Sequence, residues 1–169
     1  NKINEIRFSD SIKLINNNNE SLRISREYYN SGLLLVNSDN LNDAILDFNN
    51  AILIDSMFYE AFLARAQTYH RLNNILAISD YLKSFEIDSS NFEPLYQLAE
   101  FYFNNDINLS KEVYQNIISF NSNEHKALSN LGVIYFLLNE FNKAEDYLSK
   151  SINIIETAYT LNDRASCHR

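Results

Sequence analysis

The amino-acid sequence predicts an all-α protein, an α-solenoid of stacked helical hairpins, and three observations carry that prediction. Glycine and proline are almost absent, two and one in 169 residues, which disfavours folds that need such punctuation at every strand connection. Small residues recur at a fixed period: Gly32, Ala66, Ala99, Gly132 and Ala165 follow one another at steps of 34, 33, 33 and 33. Within each period, apolar residues fall at helical spacing, as in Leu128, Leu131, Tyr135 and Leu138.

Taken in order, residues 1–24 read as a partial unit. The stretch FSDSIKL (8–14) parallels FNNAILI (48–54), a second helix, which leaves Asn16 to Glu20 as an inserted Asn-rich loop. Units 25–58, 59–91, 92–124 and 125–157 follow, each two helices joined by a short turn. A second small-residue series, Ala44, Ala77, Ser110 and Ala144, has steps of 33, 33 and 34 and marks the second helices. Each member is followed four residues later by a large apolar side chain, Phe48, Tyr81, Tyr114 or Leu148. Asp55, Asp88 and Asn121, each followed by serine, mark the ends of the first three units. Ser90 with Glu93 three residues on predicts a capping box, with Pro94 in the first helical turn. In residues 158–169, Arg164-Ala165 echoes Arg65-Ala66 and begins a further unit. The single solenoid 1–169 is therefore expected to be a piece of a longer protein.

A glycine inside a helix costs roughly 1 kcal/mol relative to alanine. The periodic small positions are accordingly expected to be places where helices approach too closely for a side chain.

These motifs together resemble the tetratricopeptide repeat (TPR) family, a helical hairpin of 34 residues. The usual tryptophan of the first helix is replaced by Tyr28, Phe62, Leu95 and Leu128. The proline that usually ends a unit is missing, and the third unit has Ser110 and Ile117 where alanines are usual. In the second and third units the turn, RLNNIL or NNDINL, is one residue short. The resemblance implies a right-handed superhelix whose concave face is lined by first helices and holds a peptide or helix of a partner protein. Projecting those helices gives candidate groove residues Tyr29, Asn30 and Leu33, then Leu63, Gln67, His70 and Arg71. The later units supply Tyr96, Gln97 and Phe103, then Asn130, Val133 and Phe136, with Glu93, Glu100, Asn104 and Lys126 on the same faces. Tyr29, Tyr96, Phe103 and Phe136 are the candidate anchors, since aromatics carry much interface energy.

Some members of the family hold acidic chaperone tails in a clamp of Lys, Asn and Arg side chains. The corresponding positions here hold Tyr29, Leu33, Ala64, Glu93 and Gln97, and shifting by one unit matches only Lys126. A chaperone-tail partner is therefore disfavoured. The third unit carries one basic residue against five acidic ones, a poor surface for an anion.

The net charge of −8 without a basic patch excludes nucleic-acid binding as the main function. The period is also shorter than the 35 residues of pentatricopeptide RNA binders. No apolar run approaches the roughly 18 residues of a membrane span, so membrane insertion is not expected. The single cysteine, Cys167, suits a reducing, cytoplasmic compartment. His70, His125 and His168 lie on different units, and no phosphate loop, zinc motif or nucleophile elbow is present. The expectation is a non-catalytic scaffold within a multi-protein assembly, without cofactor or metal. The alternative is the recognition arm of a larger enzyme.

Overall fold

Where a hairpin must reverse direction with almost no glycine to use, this chain uses asparagine and aspartate. A computed structural model describes the backbone of residues 2–155 and 158–167, and the side chains from residue 18 onward except Ala158. Among the described residues all regular structure is helical, and no helix is long and apolar enough to cross a membrane. The chain divides into two compact units, Asn1–Ser89 and Ser90–Arg169.

The first unit contains α1 (Lys2–Asn37), α2 (Leu41–Ile54), α3 (Tyr59–Arg71) and α4 (Leu76–Ile87). Consecutive helices pack on one another, and α1 also meets α3. The turn after α1 ends in a 6→1 bond from Asn40 N–H to Leu35 C=O (2.9 Å) and a 5→2 bond from Asp39 N–H to Val36 C=O (3.2 Å). That pairing is a Schellman ending, which needs one residue at positive φ. Asp39 supplies it at φ 62°, because a short polar side chain tolerates the left-handed region better than most. The turn after α3 repeats the pattern with Asn73 at φ 50°. One residue is missing there, and the loss is absorbed at the start of α4, where Ala77 N–H bonds back only three residues to Asn74 C=O.

The expected loop at Asn16 to Glu20 is not formed: α1 is one continuous helix across it. Asparagine lowers helix propensity only modestly, and the first 31 residues hold no proline or glycine to break the helix.

The second unit contains α5 (Glu93–Phe103), α6 (Ile107–Phe120), α7 (His125–Leu137), α8 (Phe141–Ile154) and α9 (Ala158–Ser166). Each packs on the next. The turn after α7 is again a Schellman ending, with Asn139 at φ 61°. The turn after α5 is also one residue short, and there the positive-φ residue is dropped: Asn105 and Asp106 N–H both bond to Tyr102 C=O. Asp106 then caps α6 by accepting from Asn108 N–H. The capping box at Ser90 is corrected, since α5 begins at Glu93 with Phe92 as the cap residue. Asn91 Oδ1 accepts the Glu93 N–H at 2.9 Å, a contact made from two residues before Glu93 where the capping box would have needed the shorter Ser90 side chain to make it from three. Pro94 does lie in the first turn.

The small-residue series sits at the crossing of the two helices of one hairpin. A Cβ added at Gly32 would stand 2.5 Å from Phe48 Cε1, and one at Gly132 would stand 2.6 Å from Leu148 Cγ and 3.2 Å from Ala144 O. Both contacts join a first helix to its own second helix, and Phe48 and Leu148 are fully buried. Ala66 and Ala99 are buried completely at the equivalent places, as are Ala44, Ala77, Ser110 and Ala144 on the second helices. Ala165 is exposed, and the described residues include no second helix opposite it.

Two further devices lock the hairpins. Ser84 Oγ donates to Tyr59 C=O at 3.0 Å and Ser151 Oγ to His125 C=O at 2.8 Å, tying the end of a second helix to the start of its first. In the first unit Arg65 donates twice to Asp80 (both 2.7 Å) and once to Asn49 (2.6 Å), linking α2, α3 and α4. Asp80 is 5% exposed, so this fork also satisfies a buried charge that would otherwise be costly.

Candidate functional site

Helical periodicity puts the thirteen candidate groove residues on first helices, but their surroundings differ between the two units. In the first unit Tyr29, His70 and Arg71 already have partners. The Tyr29 ring packs on Phe58 (5.0 Å between centroids) and Phe48 (6.1 Å), and burial, then the Glu60 charge, raises its phenol pKa. Tyr29 thus belongs to the edge of the core. Arg71 pairs with Asp39 at 2.7 Å and donates to Val36 C=O, so it braces the α1–α2 turn. His70 Nδ1 lies 3.1 Å from the Tyr81 hydroxyl, with the rings edge to face. Asn30 and Gln67 are exposed, and Leu33 and Leu63 are half-buried.

In the second unit, α5 and α7 form the walls of a cleft of about 500 Å³. Tyr96, Gln97, Phe103, Asn130 and Val133 are brought together there, with Glu93, Glu100, Asn104 and Lys126. Tyr96 is held in place: its hydroxyl donates to Glu124 at 2.8 Å and its ring leans on Tyr114 at 6.1 Å. Burial, that hydrogen bond and the Glu124 charge all push its phenol pKa well up, so it remains a neutral donor. Gln97 Nε2 donates to Glu93 Oε1 at 2.9 Å. Phe103, at the far end of α5, is 41% exposed, and Asn130 is exposed on α7.

Phe136 is not part of this cleft. It packs edge to face on Phe141 at 5.5 Å and lines a smaller hollow of about 70 Å³ with Val133, Leu148, Asp163 and Ser166.

Two further lining residues are Tyr114, which the sequence pattern placed in the core alone, and Ile134, which it did not single out. The available signal was size. Tyr114 stands where Phe48 and Leu148 stand in other hairpins, and only a tyrosine extends beyond the packed layer with a hydroxyl. Burial, with Glu100 as the lesser cause, pushes the Tyr114 pKa up to about 12. The cleft therefore joins amide groups, two carboxylates, one ammonium and an exposed aromatic ring. Among the described residues no group of three or more His, Cys, Asp or Glu could hold a metal ion.

Residues 125–157 match the family profile described as Tetratricopeptide repeat. No curated protein matches the chain in sequence. Among solved structures, the chain is similar to the MamA protein, with TM-score 0.68 and 21% identity, covering 86% of this chain and 81% of that one. A tetratricopeptide repeat protein from Parabacteroides merdae gives TM-score 0.75 at 16% identity, over 86% of this chain and 59% of that one. YrrB, described as a TPR protein with an unusual peptide-binding site, gives TM-score 0.62 at 16% identity, over 83% and 74%.

Proposed function

We propose, from the premise that this chain has the tetratricopeptide-repeat fold, that it is a non-catalytic interaction scaffold which holds a segment of a partner protein in the α5–α7 cleft. The observation that carries this reading is the cleft itself, about 500 Å³ with side chains of two consecutive first helices converging on it. Its chemistry suits a peptide: Gln97 and Asn130 offer both donors and acceptors to a backbone, and the Phe103 ring offers apolar area. The similarity to YrrB supports it as well, since that protein is described by its peptide-binding site. The braced side chains of the first unit make its own face a weaker candidate.

The test is capture of partners by the purified chain, with Phe103→Ala combined with Asn130→Ala as the altered form. Both side chains are exposed and neither is a core residue, so far-UV circular dichroism should be unchanged while the captured partner is lost. Tyr96→Ala is a poorer probe, because it also breaks the bond to Glu124. Undiminished capture by the double variant would remove the cleft from consideration.

A further inference from the structure

One corner of the α5–α7 cleft holds recognition groups that the chain leaves unused. Tyr114 is only 8% exposed and lines the cleft, yet its hydroxyl makes no hydrogen bond among the described residues. The preceding hairpin shows what such a hydroxyl ordinarily does: Tyr81, 33 residues earlier, has His70 Nδ1 at 3.1 Å. The residue equivalent to His70 is Phe103, which can neither donate nor accept. Beside Tyr114 stands Glu100, exposed and close enough for its charge to act on the phenol. Among the described residues no Lys or Arg pairs with Glu100. The cleft's own cation, Lys126, occupies the position equivalent to Glu93. That is two helical turns, about 10 Å, from the level of Glu100.

A hydroxyl oxygen that opens on the cleft without a partner among the described residues, next to an unpaired carboxylate, calls for a group that donates in more than one direction and carries positive charge. Guanidinium does both in a fixed plane, and ammonium does so less directionally. We propose that the cleft selects a protein segment with an arginine or lysine whose head group sits between Glu100 and Tyr114, while a neighbouring apolar side chain lies on Phe103. This rests on the reading of the cleft as a peptide site and names its occupant. The charge sign is opposite to that of an acidic tail, and the surplus of carboxylates around α5 reinforces it.

The test is selection from a random dodecapeptide library displayed on phage, run in parallel on the native chain, Glu100→Lys and Glu112→Lys. Glu112 is exposed on α6 and does not line the cleft, so its reversal changes net charge equally without touching the corner. The native chain and Glu112→Lys should enrich peptides with Arg or Lys beside an apolar residue, and Glu100→Lys should not. A recovered peptide measured by fluorescence anisotropy should bind Glu100→Lys roughly five-fold more weakly or worse. Tyr114→Phe should weaken it too while leaving helicity intact. Enrichment of neutral or acidic peptides, or equal enrichment on Glu100→Lys, overturns the basic occupant and leaves the cleft as a peptide site. Loss on Glu112→Lys as well assigns the effect to net charge and overturns the corner. Failure to enrich any peptide overturns both readings.

Discussion

Replacing Gly132 with alanine sets two opposed effects against each other, and the structure decides between them. Alanine in a helix interior is favoured over glycine by about 1 kcal/mol, so propensity alone predicts stabilisation. The new methyl would lie 2.6 Å from Leu148 Cγ, which is 0.8 Å inside the 3.4 Å where ordinary contact begins, and 3.2 Å from Ala144 O. The clashing atom is the branch point of Leu148, not its tip, and Leu148 is 0% exposed, so it cannot swing into solvent. Moving α7 away from α8 would also loosen the Ser151 to His125 bond. Overpacking of this kind costs about 1–3 kcal/mol, leaving a net destabilisation on the order of 1 kcal/mol. Truncating the opposing side chain isolates the cause. Leu148→Ala alone should cost about 2–5 kcal/mol through its cavity. Adding Gly132→Ala to it should then be neutral or stabilising, a coupling of about 1 kcal/mol or more. Urea unfolding followed by circular dichroism measures all four forms. A single Gly132→Ala more stable than the native chain by the full helix-propensity gain would refute the close-crossing account.

Three other outcomes are expected. Asp80→Asn should destabilise by about 3 kcal/mol, since it leaves the largely buried Arg65 guanidinium without its charge partner; Arg65→Met with Asp80→Leu should recover much of that, and thermal unfolding of the three forms checks both. Ser110→Ala should stabilise by roughly 1 kcal/mol in urea unfolding, because Ser110 Oγ is buried with no hydrogen-bond partner and alanine fills the same slot in the other hairpins. Tyr114 should make stability fall at alkaline pH. The folded state holds its proton up to about pH 12 against about 10 in an unfolded chain, so its contribution is complete below pH 10 and lost as pH climbs toward 12. Tyr114→Phe should flatten that decline, and an unchanged profile would contradict the burial assigned to the phenol.

Much of this architecture is legible in the spacing of a few residues. Gly32 and Gly132 have no reason to stand in apolar helices unless a helix crosses them, and the crossing partners, Phe48 and Leu148, are themselves members of a second periodic series. The misreadings were local ones. Asn16 to Glu20 looks like a loop by composition, but with neither glycine nor proline the helix continues through it. Ser90 and Glu93 have capping-box spacing, yet Asn91 makes the contact with Glu93 N–H. The candidate site was legible as a face and not as a cavity: Tyr96 and Phe103 line the cleft, whereas Tyr29 is spent on the core and Phe136 turns to Phe141.

By itself, then, the sequence determined the helical period, the hairpin unit and the positions where backbones must nearly touch. These are local and repeating properties, set by which side of each helix is apolar and which residues are small. Tertiary structure alone decided which inward-facing groups remain available. Tyr81 and Tyr114 occupy the same place in successive units, and one meets the His70 ring while the other faces an open cleft beside Glu100. The period pairs His70 with Phe103 and Tyr81 with Tyr114, but that His70 meets Tyr81 while Tyr114 faces a cleft depends on how neighbouring helices pack, which spacing along the chain does not encode.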